Sequence, residues 1–415
     1  MLGTVIDMLV LDVLVVALAL VGHVGLWATV VNRVHATALS QPIVKLITYS
    51  GLAFLGLAPL GAAVWAIWEG AVALGGINFA RLPLAVKIYG GLVLLLSPGS
   101  LVWYWRYGSH RPQSNALTKA AAERIDMPTR LGRHPMGSGL RALITRLPRN
   151  ECFQLDITEK ELEVPRLHRA LDGLSIAHLS DLHFTGAIDP GYYREVVAIA
   201  NELDPDIVAV TGDLVDKPEC IEWIAETIGQ LRARHGVYVI LGNHDFRLKG
   251  HIRHLRAALD ACDLTQLGGR WQQISIDGMP LVLAGNELPW ITPAADLADC
   301  PPRDSEGQPL RVLLSHSPDQ YGWAKRHDFD VMLAGHTHGG QIRLPLVGAI
   351  FAPSHFGVRY ACGVFHEPPT VLHVSRGLSG LDPLRYNCPP ELTKLVLRCP
   401  ARTATRFDER LVAQR

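Results

Sequence analysis

Leu174-Ser175-Ile176-Ala177-His178-Leu179-Ser180-Asp181-Leu182-His183 reads as a short buried strand that runs straight into polar side chains. The pattern returns four times. Residues 206–211 lead into Gly212-Asp213, 237–241 into Gly242-Asn243-His244-Asp245, 312–314 into Ser315-His316, and 331–334 into Gly335-His336-Thr337-His338. Each apolar run ends at Asp, Asn or His. Side chains able to hold a cation are thereby gathered at strand ends, where one site can be assembled from distant parts of the chain. Between these strands, residues 190–203 place Tyr193, Val196, Val197 and Ala200 on one helical face, and 220–234 read as a second helix stopped by His235-Gly236. Residues 281–284 form a further short strand, and 370–374 and 393–398 are late strands expected to complete a sheet. Strands alternating with helices define an α/β domain.

A lone histidine is more often a hydrogen-bonded core residue than a ligand, and His23, His35, His251, His254 and His327 are read that way. The motif histidines differ because they come with Asp181, Asp213 and Asn243. The five blocks, in this order and ending in Gly335-His336-Thr337-His338-Gly339-Gly340, resemble the calcineurin-like metallophosphoesterases over about residues 150–399. The similarity is greatest to the membrane-associated bacterial branch that includes phosphodiesterases related to UDP-2,3-diacylglucosamine hydrolases. The resemblance implies two packed mixed sheets flanked by helices.

It also implies two divalent metal ions. Such a pair, about 3.5–4 Å apart, clamps a phosphoryl group and activates a water. By resemblance Asp213 is the bridging carboxylate. Asp181, His183 and His338 complete one metal site, and Asn243, His316 and His336 the other. In extended chain, residues i and i+2 point the same way, which would align Asp181 with His183 and His336 with His338. Gly212, Gly242 and Gly335 precede ligands where the backbone must turn tightly. The family assigns His244 to the phosphate and leaving group rather than to a metal, and Asp216 matches the carboxylate that orients it; the other reading of Asp216 is a helix N-cap. Asp245 is expected to support or cap rather than ligate. Oxygen and nitrogen ligands without thiolate suit manganese, iron, zinc or nickel, and the family favours manganese.

The 415 residues suffice for this domain and more. Lys and Arg total 39, as do Asp and Glu, so no global attraction to nucleic acid is expected. Seven scattered cysteines without a Cys-x-x-Cys pair suit reduced thiols. The positive mean hydropathy arises mostly in the first hundred residues. Spans are expected at about 13–31, 46–68 and 84–105, the last with an uncharged core at 88–105 that Lys87 could extend by snorkelling. Trp65, Trp68, Trp103, Tyr104 and Trp105 stand at span ends, as interfacial aromatics do. No basic region precedes the first span, so it reads as an uncleaved helix rather than a signal peptide.

The organisation expected is therefore an all-α membrane region of about three helices (1–106), a basic juxtamembrane linker (107–150), the phosphoesterase domain (151–400) and a C-terminal tail (401–415). Residues 106–150 carry nine basic side chains against Glu123 and Asp126. This bias places the N-terminus outside and the catalytic domain in the cytoplasm of a bacterial inner membrane. The stretch could lie on anionic headgroups or be a solvated linker. The apolar run from Leu344 to Phe351 could wall a lipid tail or be core. Arg343, Arg359 and Arg376 are candidates for binding phosphate, and Pro389-Pro390-Glu391 reads as structural.

The resemblance and the spans together imply a metal-dependent phosphoesterase acting on a phosphodiester, pyrophosphate or phosphomonoester of a membrane-associated or lipid-linked substrate. A phosphodiesterase or phosphatase on soluble nucleotides or phosphoproteins is the alternative among enzymes, and a membrane sensor or scaffold is the non-enzyme alternative. A transporter is disfavoured, because His23 is the lone mid-span ionisable residue.

Overall fold

A computed structural model describes residues 2–73, 76–108, 114–137, 139–303 and 308–400; the expected tail at 401–415 lies outside the described residues. Three long helices come first: α1 (Leu2–His35), α2 (Gln41–Trp68) and α3 (Leu84–Tyr107). All three are long and apolar enough to cross a membrane. The helices outrun the uncharged stretches. Asp12 lies inside α1 and accepts a hydrogen bond from the Ile77 N–H at 2.6 Å, which ties the α2–α3 connection to the first helix. His23 is a hydrogen-bonded core residue as expected: its ring nitrogens lie 2.5 Å from the Tyr89 hydroxyl and 3.1 Å from the Leu55 carbonyl, joining all three helices.

The remainder is built on two mixed sheets. The seven-stranded sheet runs, in spatial order, Leu117–Asp126, Gln154–Glu163, Glu391–Arg398, Ser175–Leu179, Ile207–Thr211, Val237–Ile240 and Thr265–Gln266. The six-stranded sheet runs Gly363–Glu367, Thr370–Val374, Val331–Ala334, Leu310–Ser315, Met279–Asn286 and Trp271–Ile276. Ser175–Leu179, Ile207–Thr211 and Val237–Ile240 run parallel to one another in the first sheet, as do Met279–Asn286, Leu310–Ser315, Val331–Ala334 and Thr370–Val374 in the second, and they are largely buried on both faces. Ile207 and Ala209 enter the core between the sheets, where they meet Leu281, Val312 and Leu333; Val208 and Val210 enter the helix-covered core with Tyr192, Val196 and Leu255. On the far side of the second sheet, Leu313, Met332 and Ala334 pack with Tyr321 and Phe329. This alternation fills both faces and leaves the strand ends as the place for polar groups.

Three expectations are corrected. First, 107–150 is not merely a linker. Leu117–Asp126 is an edge strand paired antiparallel with Gln154–Glu163, and Met127, Met136 and Ala142 are buried in the main core. The strand's Ala and charged residues gave no strand signal; the unpaired edge of its partner imposes the conformation, and its exposed charges blunt the new edge. Several basic residues of 107–150 pair with carboxylates: Arg124 with Asp156 and Arg133 with Asp189, each at 2.6 Å, and Arg130 with Glu195 at 2.7 Å.

Second, 220–234 is not one helix. Trp223–Glu226 forms a single turn flanked by 3₁₀ turns at Pro218–Cys220 and Ile228–Gln230. Thr227 breaks the run at φ −117°, ψ −103°, and its Oγ1 donates to the Trp223 carbonyl at 2.6 Å. Gly229 is packed so close to Cys262 that a Cβ would lie 2.7 Å from its Sγ. Burial of Ile221, Ile224 and Ile228 outweighs helix propensity there.

Third, the expected extended geometry at the ligand pairs is absent. Asp181, His183, Asp213, His336 and His338 all have φ between 49° and 70°, the left-handed region that non-glycine residues seldom adopt.

Candidate metal centre

Five parallel-strand ends converge on one cluster. The strand Ser175–Leu179 delivers Asp181 and His183, Ile207–Thr211 delivers Asp213, Val237–Ile240 delivers Asn243 and His244, Leu310–Ser315 delivers His316, and Val331–Ala334 delivers His336 and His338. Beyond the strands the loops zip together. The Asp181 N–H donates to the Gly212 carbonyl at 3.0 Å and the His183 N–H to the Asp213 carbonyl at 2.9 Å. This pairing holds the left-handed residues in place, and such local strain is a feature of functional sites. Gly212 is itself left-handed at φ 88°. Gly335 is required for a different reason: a Cβ there would run into Ser180 and the Asp181 carboxylate.

Asp213 occupies the centre. Its Oδ2 lies 3.7 Å from His183 Nε2 on one side and 3.2 Å from His316 Nε2 on the other. Its Oδ1 accepts the His244 N–H at 2.7 Å. Asp181 Oδ1 faces His338 Nε2 at 3.6 Å, and His183 Nε2 and His338 Nε2 are 3.4 Å apart. His316 Nε2 lies 3.2 Å from Asn243 Oδ1. Two groups that could hold a metal ion result, Asp181–His183–His338 and Asp213–His316–His336; His183–Asp213–His244 forms a third, overlapping one.

The outer nitrogens are occupied. His183 Nδ1 faces Asp216 at 2.8 Å, His316 Nδ1 the Thr211 carbonyl at 2.7 Å, and His338 Nδ1 the Ser379 carbonyl at 3.1 Å. Such bonds fix the tautomer and turn the Nε2 lone pair inward. His336 Nε2 is buried with no hydrogen-bond partner among the described residues, and Trp290 packs against that ring at 4.9 Å. An orphaned imidazole nitrogen amid carboxylates and inward-facing lone pairs fits a cation.

The electrostatics agree. Burial alone would lower His183, but Asp216, Asp213 and Asp181 push it up to about 9. Burial likewise opposes His316, which Asp213 and Asp181 raise to about 9. Burial would raise the Asp213 carboxyl, yet His316, His244 and His183 hold it well below the usual carboxylate range. The carboxylates thus hold protons on these two imidazoles, and a metal must displace those protons before the inward-facing nitrogens can bind it.

Asp216 is no N-cap here: its Oδ2 faces His183 and its Oδ1 faces His244 Nδ1. Burial opposes its ionisation, but His183 and His244 hold it well below the usual range. Asp245 supports the loops, accepting the N–H groups of Leu214, Val215 and Gly242 at 2.8–3.0 Å. His244 Nε2 meets Arg247 Nη1 at 2.5 Å. Sequence reading passed over Arg247, although it stands three residues after His244, one helical turn away. Trp290 carried no comparable signal.

The three arginine candidates lie elsewhere. Arg376 is engaged by Asp156 at 3.0 Å and Glu391 at 3.3 Å, and Glu391 also takes Lys160 at 2.5 Å, the structural role expected of that segment. Arg359 pairs with Glu367 at 2.8 Å. Arg343 reaches the Gly339 carbonyl at 3.1 Å. A cavity of about 380 Å³ lies over the cluster and takes its guanidinium from Arg247. The Leu344–Phe351 stretch forms the seam with the helices: the Ile350 carbonyl accepts from Asn32 Nδ2 and from the Tyr104 hydroxyl, each at 3.2 Å, while Phe351 reaches the cavity.

Two packed mixed sheets with His, Asp and Asn gathered at strand ends define a metallophosphoesterase-type domain. The calcineurin-like phosphoesterase family matches residues 174–340. The chain is 31% identical over 226 residues to phosphodiesterase YaeI of Escherichia coli (strain K12), spanning 54% of this chain and 81% of that protein. It is 29% identical over 260 residues to the uncharacterized metallophosphoesterase YkuE of Bacillus subtilis (strain 168), spanning 60% and 87%. It is 23% identical over 295 residues to UDP-2,3-diacylglucosamine pyrophosphatase LpxG of Chlamydia muridarum (strain MoPn / Nigg), spanning 59% and 89%. The chain belongs to the calcineurin-like phosphoesterase family. It is a hydrolase acting on phosphoric ester bonds, in a family that uses divalent metals.

Proposed function

We propose that this protein is a two-metal phosphodiesterase or pyrophosphatase embedded in the bacterial inner membrane, with its hydrolytic domain on the cytoplasmic face and a membrane-borne substrate. The observation that carries the chemistry is Asp213 Oδ2, which faces His183 on one side and His316 on the other. Asp181, His183, Asp213 and His338 would hold one ion, and Asp213, Asn243, His316 and His336 the second. Bound there, the ions would supply a positive clamp on the phosphoryl group and the acidity that makes water nucleophilic at neutral pH; manganese is the ion proposed.

The protein's own groups do the rest. As the P–O bond breaks, the departing oxygen needs a proton, and His244 gives it from Nε2 while Asp216 holds Nδ1 and stabilises the imidazolium. Burial lowers the His244 pKa against the opposing pull of Asp213 and Asp216, so the charged ring is a strong donor. An anionic substrate brings back some of that proton affinity. Arg247 Nη1 donates to that same nitrogen when no substrate is bound; the guanidinium turns to a non-bridging phosphoryl oxygen of the substrate, which frees Nε2 to carry the proton.

Full-length protein in detergent is expected to cleave bis-p-nitrophenyl phosphate faster than p-nitrophenyl phosphate, to lose activity on chelation, and to regain it with Mn²⁺. Full activity after exhaustive chelation would sink the metal reading.

The orientation has its own test. The α1–α2 connection lies on the domain side, where Trp290 Nε1 donates to the Thr37 carbonyl at 3.3 Å, and the charge excess follows the third helix. A reporter active only outside the cytoplasm is expected to be silent when fused after Arg415 and active when inserted between Glu69 and Arg81. The opposite pattern reverses the orientation.

A further inference from the structure

The cavity over Asp213 and His336 is not closed by the phosphoesterase domain alone. Its opposite wall comes from α2: Gln41, Lys45, Thr48, Tyr49 and Leu52. Their spacing of three and four residues places them on one helix face. All five lie in a segment long and apolar enough to be a membrane span. The stripe changes character along about 16 Å of helix. An amide, an ammonium and a hydroxyl come first, then a phenol and a leucine. Tyr49 is 67% exposed and Leu52 41% exposed, so that end of the wall is open, and a bilayer around a spanning α2 would bring hydrocarbon to it.

The wall is pinned to the chemistry. Arg247, beside His244, also meets Gln41: with the amide oriented by its hydrogen bonds, the Gln41 oxygen accepts from Arg247 Nε at 2.7 Å and Nη2 at 2.8 Å. His35 Nε2 lies 2.9 Å from Thr48 Oγ1, joining α1 to α2. Asn32 of α1, on the cavity wall, accepts the Ala352 N–H at 2.9 Å. Among the described residues, Lys45 and Arg247 are the Lys and Arg side chains of the lining. The cavity thus runs from a cluster of ligand-type side chains, past two cations, to an apolar edge within the span.

We propose that α2, braced by α1, is part of the substrate-binding site, and that the substrate is a membrane lipid whose headgroup contains the scissile phosphoester. The phosphoryl group lies at the cluster with its charge facing Lys45 and Arg247. The lipid chain runs along Tyr49 and Leu52 into the bilayer. This rests on the phosphoesterase reading above, narrows its membrane-borne substrate to a lipid and places that lipid against α2. Charge complementarity at one end and continuity with the bilayer at the other select a lipid over a soluble ester, which would leave the apolar end of the wall unused.

The test uses full-length protein in nanodiscs with Mn²⁺, on methyl and dodecyl p-nitrophenyl phosphate, both kept below micelle-forming concentrations. The dodecyl ester is expected to show a kcat/KM at least roughly tenfold higher, because burying an alkyl chain favours its binding. Leu52→Asp is expected to remove that preference while the metal content and unfolding midpoint match the parent. Should that variant not fold, the parent protein answers alone: a dodecyl phosphodiester with a terminal diazirine is expected to label residues 45–52. Equal kcat/KM for the two esters, an undiminished preference in Leu52→Asp, or labelling wholly outside α2 overturns the proposal. Cleavage of both esters without chain preference leaves the phosphoesterase reading standing and removes only this one. Cleavage of neither removes both.

Discussion

Asp213→Asn is expected to lose most of its bound metal and nearly all activity. Asp213 is the carboxylate placed between the two candidate ligand groups, with Oδ2 facing His183 and His316. The amide carries no charge, and one of its two ends is a donor, which a cation repels. Oδ1 is also committed, since it accepts the His244 N–H at 2.7 Å. If the oxygen of the introduced amide keeps that bond, its NH₂ group faces the space between His183 and His316. The loss should therefore exceed the roughly 10²–10³-fold attributed to one preorganised electrostatic group, because both proposed metal sites fail together. Metal analysis of the purified variant checks this directly. Near-full occupancy of both sites would rule out Asp213 as the bridge.

His244→Ala is expected to keep two metals and lose turnover, by roughly 10²–10⁴-fold if the side chain is the general acid. The geometry makes this a sharp comparison. His244 belongs to one of the three overlapping groups that could hold an ion, with His183 and Asp213. If it were a ligand, its removal would cost metal. If it is the acid, the cost depends on the leaving group: nitrophenolate needs little protonation and an alkoxide needs much. A plot of log kcat against leaving-group pKa should steepen in the variant. Parallel lines for variant and parent would take His244 out of the acid role, and loss of metal would move it into the ligand set.

The contrast between these two residues was partly legible in the sequence. Each ligand block follows a run buried on both faces, so composition marks the strand and the first polar residue marks its end. Asp181, His183, Asp213, Asn243, His316, His336 and His338 were all found this way or by family resemblance, and they come together in space. Asp245 matches its expected supporting role partly for a local reason: it stands at the start of a helical turn and accepts the Gly242 N–H there, while the Leu214 and Val215 N–H groups reach it from the neighbouring loop. The three long apolar helices were legible because hydropathy over about 20 residues is a local property.

What the sequence by itself determined is thus the set of buried strands, the polar residues at their ends and the apolar helices, since each depends on neighbours along the chain. Tertiary structure decided the rest. Leu117–Asp126 is a strand because Gln154–Glu163 offers it an edge. Residues 220–234 break at Thr227 because the burial of Ile221, Ile224 and Ile228, with Gly229 packed against Cys262, outweighs helix propensity. The ligands turn left-handed because adjacent loops hydrogen-bond to one another. Arg376, which the sequence nominated for phosphate, is claimed by Asp156 and Glu391, whereas Arg247 and Lys45 reach the cavity. The α2 wall of that cavity lies far along the chain from the His, Asp and Asn side chains it faces. Such contacts carry no local periodicity, and only the packing of the helices on the domain brings them together.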